Sequence, residues 1–361
     1  MRWPIPPGLA GMAVVLAACG GPKPPAPSHT LPPAADTLRA PFQDAAGAVW
    51  LGSGRWAVVS EGSAVVGLAD FGAGRLGPLG GPKSDVLRNP FAVFRAAGDT
   101  LWVADWGLRR VTGWVLPDRL VVTVAATSAT RGALPRARDA AGQFYLSLPA
   151  PAGRDGSGAR DSGAVVRASS DLARIDTVAR LTPPDLAEVR GEAGRRFERR
   201  VFSGEDAWGV LPNGSVWVAR VHPNRVDWYG PDGERTEGEL LPDRVLEVTR
   251  ADRELFVRSF PPELRRTVEG LPYAAIKPPF ETGFTSADGL VWLQKSKAAF
   301  DTLGSYQLVD RRGKLLREIR VPATSRILAA SADAALAVEA DSAGLRLLQY
   351  PVPAITESRS P

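Results

Sequence analysis

Residues 98–118 read GDTLWVADWGLRRVTGWVLPD, and residues 213–233 read NGSVWVARVHPNRVDWYGPDG. Both segments have a turn, an aliphatic residue, Trp-Val-Ala, then Asp105 or Arg220, and five residues later Arg110 or Arg225 followed by Val. Short apolar runs that end at Gly, Asp, Asn or Pro are typical of β-hairpins. The two segments are therefore predicted to be copies of one two-stranded repeat.

Four further segments repeat this pattern more loosely, the clearest being residues 288–322. The central residues of the six copies are Trp56, Trp102, Tyr145, Trp217, Trp292 and Leu336. Three of the five spacings between them are 43 to 46 residues. A period of about 40 to 50 residues with several short strands is typical of a propeller blade, which buries its faces only against neighbouring blades. The predicted fold class is all-β, a six-bladed β-propeller of four-stranded antiparallel blades.

The other two spacings, 72 and 75 residues, predict insertions in two blades. One insertion covers residues 152–163 and 183–200, and the other covers residues 241–284. Residues 183–200 begin with Pro, carry acidic residues early and Arg late, and are therefore predicted to form a helix. Long loops in a compact domain are often functional, so both insertions are candidate contact elements.

The hairpins LWVADWGLRRVTGWV (101–115) and VWVARVHPNRVDWYGPDG (216–233) resemble the strand pairs of NHL-repeat proteins and of related TolB-like six-bladed propellers. In such blades Val-Ala-Asp and Arg followed by Val or Ile flank the turn between two strands. The resemblance implies that an N-terminal strand, here near residues 36–42, closes the ring against strands around residues 345–350. It leaves function open, because such propellers include lactonases, peptidylglycine-processing enzymes and binding platforms.

Residues 1–18 have the pattern of a signal peptide, with Arg2 followed by an apolar stretch too short to span a membrane. Leu16-Ala17-Ala18-Cys19 resembles the lipobox of bacterial lipoproteins, which implies that Cys19 is lipidated and becomes the mature N-terminus. Residues 19–35 are rich in Pro and are predicted to be an extended tether, and residues 36–361 to be the propeller. We expect a protein anchored to a membrane of the cell envelope, facing the periplasm or the cell exterior.

Composition excludes several classes of protein. The chain has 361 residues, 44% of them hydrophobic and 23% charged, which is typical of a globular protein. One Cys and two His exclude an intramolecular disulfide and the common zinc sites. The net charge of +5 is spread along the chain, which argues against a nucleic-acid partner. Motifs for a serine nucleophile elbow, a phosphate-binding loop or a zinc peptidase are absent from the sequence.

The candidate binding residues lie at the turns of the two clearest copies: Asp105, Trp106, Arg110, Arg220, His222 and Arg225. The paired Asp and Arg positions either face a ligand or lock the hairpin by a side-chain contact, and the second role is favoured. Trp102, Trp217 and Trp292 recur at one strand position and are predicted to be core. By the same reasoning Trp106, Trp114 and Trp228 are freer to be exposed. His222 is the sole candidate in the propeller for a base that titrates near neutral pH.

These features favour a non-catalytic, monomeric scaffold without a cofactor that binds a protein, peptide or glycan through one face of the ring. The main alternative is a metal-dependent hydrolase of the lactonase or esterase kind, acting in the central channel. A third possibility is a structural envelope protein with no small ligand. The resemblance to propeller lactonases implies calcium held by Glu, Asn and Asp. Residues of these types are available at Glu61, Asn89, Asp105, Asn213 and Asp288, but none falls in a recognisable motif, so the metal ligands stay unassigned.

Overall fold

A computed structural model of the protein describes residues 26–81, 86–95, 98–150, 161–191 and 194–354. The signal peptide and Cys19 lie outside these residues. The described residues form six blades around one axis, which confirms the predicted fold. The first two blades consist of β3 (Gly47–Gly52), β4 (Arg55–Ser60), β5 (Val65–Asp70) and β6 (Arg75–Pro78), and of β7 (Pro90–Arg95), β8 (Thr100–Asp105), β9 (Arg110–Val115) and β10 (Arg119–Ala125).

The other four blades repeat the same antiparallel order. Blade three consists of β11 (Ala137–Arg138), β12 (Phe144–Leu148), β13 (Ala164–Ala168) and β14 (Ile175–Arg180), and blade four of β17 (Ala207–Val210), β18 (Val216–Arg220), β19 (Arg225–Tyr229) and β20 (Arg235–Thr236). Blade five consists of β21 (Phe280–Thr285), β22 (Val291–Lys295), β23 (Leu303–Val309) and β24 (Leu315–Pro322). Blade six consists of β25 (Arg326–Ala330), β26 (Ala334–Asp341), β27 (Gly344–Pro351) and β2 (Asp36–Ala40).

The core lies between the blades and is built on the predicted repeat. All six central residues lie on the second strand of their blade and are at most 4% exposed. Trp106 is half exposed, as expected, but the expectation for Trp114 and Trp228 was wrong because both are buried. They lie on third strands, whose two faces are covered by the neighbouring blades, and the Trp114 Nε1–H donates to Thr112 Oγ1 at 2.9 Å.

Strand β2 closes the ring, as the resemblance implied, with Asp36 opposite Gln349 and Ala40 opposite Leu345. The segment before it differs from the expected tether. Strand β1 (Ser28–Thr30), which includes His29, pairs in parallel with the outer edge of β24, and Leu31 is buried in the core of blades five and six. The outer strand of blade five leaves a row of unpaired backbone groups, and β1 satisfies part of that row.

The predicted helix at residues 183–200 was wrong. This stretch forms a hairpin of β15 (Leu186–Gly191) and β16 (Gly194–Arg199), in which the Arg195 Nη1 lies 3.6 Å from Glu188 Oε1. Cross-strand pairs of this kind favour a hairpin over the weaker charge preferences of helix ends.

Helices occur instead in the second insertion, as α1 (Arg250–Arg258) and α2 (Pro262–Glu269). Helix α1 begins with a capping box between Thr249 and Asp252. Asp252 also accepts a hydrogen bond from Lys277 at 2.6 Å, which ties the helix to the chain that enters blade five. Neither helix in the described residues combines the length and apolar character needed to cross a bilayer.

Candidate functional site in the central channel

The central channel is bounded by the first strand of every blade. These innermost strands contact one another in sequence around the axis, in the order β3, β7, β11, β17, β21, β25 and back to β3. They enclose a cavity of about 780 Å³. A cavity of this size is in the range of small-molecule sites, which take up most of a ligand's surface.

The cavity is lined by cationic and aromatic side chains. Its cations are five arginines: Arg95, Arg136, Arg138, Arg311 and Arg326. Its aromatic rings are Trp50, Phe91, Phe94, Trp208 and Phe284. Within the described part of the chain, no Asp or Glu lines the cavity. The channel is therefore positive and partly apolar, a combination that suits an organic anion.

Most of these arginines are held by neutral groups. Arg95 donates to the Gly98 carbonyl at 3.0 Å, Arg138 donates to the Gly142 carbonyl at 3.2 Å, and Arg326 donates to the Ala45 carbonyl. Among the described residues, the only ion pair of the five joins Arg95 to the fully exposed Asp99 at 3.9 Å. A pair of that length in solvent contributes little. The carbonyls orient the guanidinium groups without neutralising their charge.

Aromatic rings hold two of the arginines. The Arg138 guanidinium lies 4.4 Å from the Trp102 ring centre and 5.1 Å from that of Phe144. Arg136 lies 5.4 Å from the ring centre of Phe91. Burial lowers the pKa of Arg138, while Asp139 acts in the opposite direction. Arginine stays charged at neutral pH even after such a shift, so stacking fixes the cation in place.

Asp105 and Arg110 lie outside the channel lining. Asp105 is fully buried and accepts hydrogen bonds from the backbone amides of Arg88, Asn89 and Leu108 at 2.8, 3.0 and 3.1 Å. Arg110 donates to the carbonyl of Val86 at 2.8 Å. Both side chains thus fix the segment of residues 86–89 that leads into blade two, and Asp105 also caps the β8–β9 turn at Leu108.

Arg220 and Arg225 belong to a buried ion-pair network in blade four. Arg220 contacts Asp206 at 2.8 Å and Asp227 at 3.2 Å, and Arg225 contacts the same Asp227 at 2.9 Å. Arg235 reaches Asp227 at 2.9 Å. Burial alone would lower the pKa of Arg220, yet its hydrogen bonds with Asp206 and Asp227 raise it.

Trp106 and His222 both lie in turns that the cavity does not reach. The structure therefore brings none of the six candidate binding residues into the channel. Any contact that they make with a partner at the rim of the ring stays a prediction.

The five residues of calcium-binding types named above do not form one cluster in the channel. Asp105 is used by the three backbone amides, Asp288 accepts from Ser286 Oγ at 2.5 Å, and Glu61 is exposed in the β4–β5 turn. None of the five residues lines the channel cavity. Across the described ranges, His, Cys, Asp and Glu form no group of three that could hold a metal ion. The residues present do not fit a calcium ion held by carboxylates in the channel.

Sequence reasoning missed the channel arginines. They lie at the ends of first strands, as in FAVFR (91–95) and LPRAR (134–138), or in a turn that reaches the axis, as Arg311 does. The aromatic repeat marks the second strand of each blade and gives no signal for the first strands. An alignment of first strands would have placed Arg95, Arg138 and Arg326 at the axis.

No family model matches the sequence, and no curated protein matches it. Similar solved structures include a calcium-binding protein, regucalcin, from Agrobacterium tumefaciens (10% identity, 93% of this chain and 100% of that chain, TM-score 0.47). They also include a gluconolactonase from Xanthomonas campestris (13% identity, 91% of this chain and 99% of that chain, TM-score 0.45). Virginiamycin B lyase from Staphylococcus aureus is similar as well (8% identity, 88% of this chain and 98% of that chain, TM-score 0.45). Identities this low describe a shared fold and say nothing of the ligand.

Proposed function

We propose that this protein binds a small organic anion in the central channel of its propeller. The observation that carries the proposal is the lining of the cavity: five arginines and five aromatic rings, with no acidic side chain among the described lining residues. The proposal keeps the binding role expected from the sequence and moves the ligand from one face of the ring to its axis.

Arginine is well suited to this role. Its planar guanidinium can donate two parallel hydrogen bonds to a carboxylate or phosphate, and it is less strongly hydrated than the ammonium of lysine. Partial burial in the channel strengthens such a contact because less water screens it. The rings would contact the apolar part of the ligand, so a bare inorganic ion would use only half of the site.

The first test compares two ligands that differ only in charge. Biphenyl-4-carboxylate and the neutral biphenyl-4-carboxamide are titrated into the full chain by calorimetry. The proposal expects the acid to bind at least about tenfold more tightly than the amide, and binding to weaken as salt is raised. Equal binding of acid and amide, or no binding of either, would overturn it.

The hydrolase alternative is tested with the same protein. Gluconolactone is incubated with the full chain, with calcium or with a chelator, and ring opening is followed by acid release. Calcium-dependent opening above the spontaneous rate would favour the hydrolase. An unchanged rate together with tight binding of the acid would favour the binding protein.

We further propose that the protein is anchored in the cell envelope through Cys19. The support is the lipobox-like sequence Leu16 to Cys19. Intact mass of the protein from membranes is expected to show cleavage before Cys19 and added acyl chains. A mass that retains residues 1–18 without acylation would contradict the anchor.

A further inference from the structure

The register of the blades defines a common level in the channel. In each blade, one first-strand residue lies directly opposite the central residue of the repeat: Trp50, Phe94, Ala137, Gly209, Phe284 and Ala329. The blades share one strand order around the axis, so their first strands run in the same direction. Positions before this level lie toward one mouth, and positions after it lie toward the other.

The arginines divide into two groups about this level. Arg95 and Arg138 lie one residue after it, and their guanidinium groups donate to Gly98 and Gly142 in the turns that follow the first strands. Arg311 joins them, because its Nη2 would lie 2.8 Å from a Cβ at Gly289 in the turn after β21. We name these three residues the upper group.

The lower group consists of Arg136 and Arg326. Arg136 precedes the level by one residue and stacks on Phe91, which lies near the start of β7. Arg326 precedes it by three residues and donates to the carbonyl of Ala45, just before β3. At a rise of about 3.3 Å per residue, the four residues between the levels of Arg326 and Arg95 correspond to about 13 Å, and the two residues between Arg136 and Arg138 to about 7 Å.

Aromatic rings lie between the two groups. Trp50, Phe94 and Phe284 are at the common level and belong to the cavity lining. Trp50 and Phe284 are partly exposed, whereas Phe94 is buried in the core between blades two and three and supports the lining from behind. Along its axis the channel thus presents the upper group of arginines, then the aromatic residues Trp50, Phe94 and Phe284, which we name the aromatic belt, and then the lower group of arginines. One acidic group on a ligand could contact only one of the two arginine groups.

We infer that the ligand is an elongated dianion, with acidic groups at its two ends and an apolar ring system between them. This inference rests on the proposed function. Each acidic end would receive hydrogen bonds from one arginine group, and the ring system would contact the aromatic belt. A short dianion would leave one group unused, and a long monoanion would leave one group without a counter-charge.

The test uses three matched acids and calorimetry on the full chain. Biphenyl-4,4′-dicarboxylate is the long dianion, biphenyl-4-carboxylate is its monoacid match, and benzene-1,4-dicarboxylate is the short dianion. We expect the long dianion to bind at least about tenfold more tightly than either of the others. If the monoacid binds as tightly as the long dianion, the inference fails while the proposed function stands. If none of the acids binds, both fail.

Single substitutions test the two groups separately. Arg136→Gln removes a cation from the lower group and Arg311→Gln removes one from the upper group, while Arg312→Gln, next to Arg311 but outside the lining, is the control. Each channel variant should reduce the preference for the long dianion over the monoacid to less than about threefold, and Arg312→Gln should leave it unchanged. A loss of preference in only one channel variant would overturn the two-ended site. Melting curves of all three variants check that they fold.

Discussion

The protein uses arginine in opposite ways in blade four and in the channel. In blade four, Arg220, Arg225 and Arg235 converge on Asp227, whose side chain is fully buried, and every guanidinium has an acidic partner. In the channel, five arginines line one cavity, and within the described residues only Arg95 has an acidic partner, a distant one.

The contrast separates a structural use of charge from a binding use. A buried pair is compensated within the fold, so removing one member leaves a charge without a partner in a place that water does not reach. Channel cations face an open cavity and are held by carbonyls and rings, so the fold does not depend on their charge. They remain available to an anion from outside.

The largest effect on stability is expected from Asp227→Ala. It leaves three arginines of blade four without their shared carboxylate, and breaking a buried ion pair by removing one partner costs about 3–5 kcal/mol. Denaturant unfolding should show this loss. A change below about 1 kcal/mol would remove the distinction between the two sets of arginines.

Asp105→Ala is expected to have the next largest effect. Asp105 occupies in blade two the repeat position that Arg220 occupies in blade four. The charge of Asp105 is compensated by three backbone amides, whereas the charge of Asp227 is compensated by arginines. Hydrogen bonds to a charged group contribute about 1.5–3 kcal/mol, and unfolding should register a loss of that order. Asp99→Ala, which changes an exposed carboxylate at the opposite end of β8, is the control and should be neutral. A neutral Asp105→Ala would show that the turn needs no carboxylate.

Alkaline pH provides a third comparison, because arginines stay charged there while a buried tyrosine titrates. Burial raises the pKa of Tyr306 to about 12, although its contacts with the Ile327 amide and Arg326 act to lower it. A raised pKa favours the neutral form in the folded state. The stability that neutral Tyr306 contributes to the fold is therefore complete below pH 10 and is lost as pH rises from about 10 to 12.

Unfolding of the wild type and of Tyr306→Phe, measured across that range, should show a steeper loss in the wild type. The difference should reach about 1–3 kcal/mol by pH 12. Parallel curves would contradict the assigned shift.

The smallest effect on stability is expected from the double variant Arg136→Gln with Arg311→Gln. Both side chains are exposed to the channel, and neither forms an ion pair with any described residue. Unfolding free energy should change by less than about 0.5 kcal/mol, as for surface substitutions. A loss comparable to that of Asp227→Ala would mean that the channel cations are part of the fold.

Much of the fold could be predicted because inter-blade packing demands a large residue at one strand position in every blade. Trp56, Trp102 and Trp217 fill this position, and their spacing reveals the repeat in the sequence. Ring closure by β2 was also predictable, from the resemblance to other propellers. The insertion at residues 183–200 was mispredicted because its Glu and Arg residues suit both the ends of a helix and the cross-strand pairs of a hairpin. Only tertiary context distinguishes the helix from the hairpin.

The channel was much harder to predict. Arg95 and Arg326 are 231 positions apart in the sequence, and only closure of the ring brings them to one axis. No local motif marks the channel arginines. Asp105 and Arg220 were conspicuous because each lies three residues after the repeated Trp, yet both side chains are bound within their own blades. Residues that recur in the repeat therefore revealed the blades. The channel arginines, which do not recur at one repeat position, form the candidate site.

One calorimetric comparison distinguishes an anion site at the axis from attraction by net charge alone. Biphenyl-4-carboxylate is titrated into the wild type, into Arg136→Gln with Arg311→Gln, and into the control Arg119→Gln with Arg312→Gln, which removes the same charge outside the cavity. We expect equal affinity in the wild type and the control pair, and at least a tenfold loss in the channel pair. Equal losses in both pairs would show that net charge alone attracts the anion and would contradict a site at the axis.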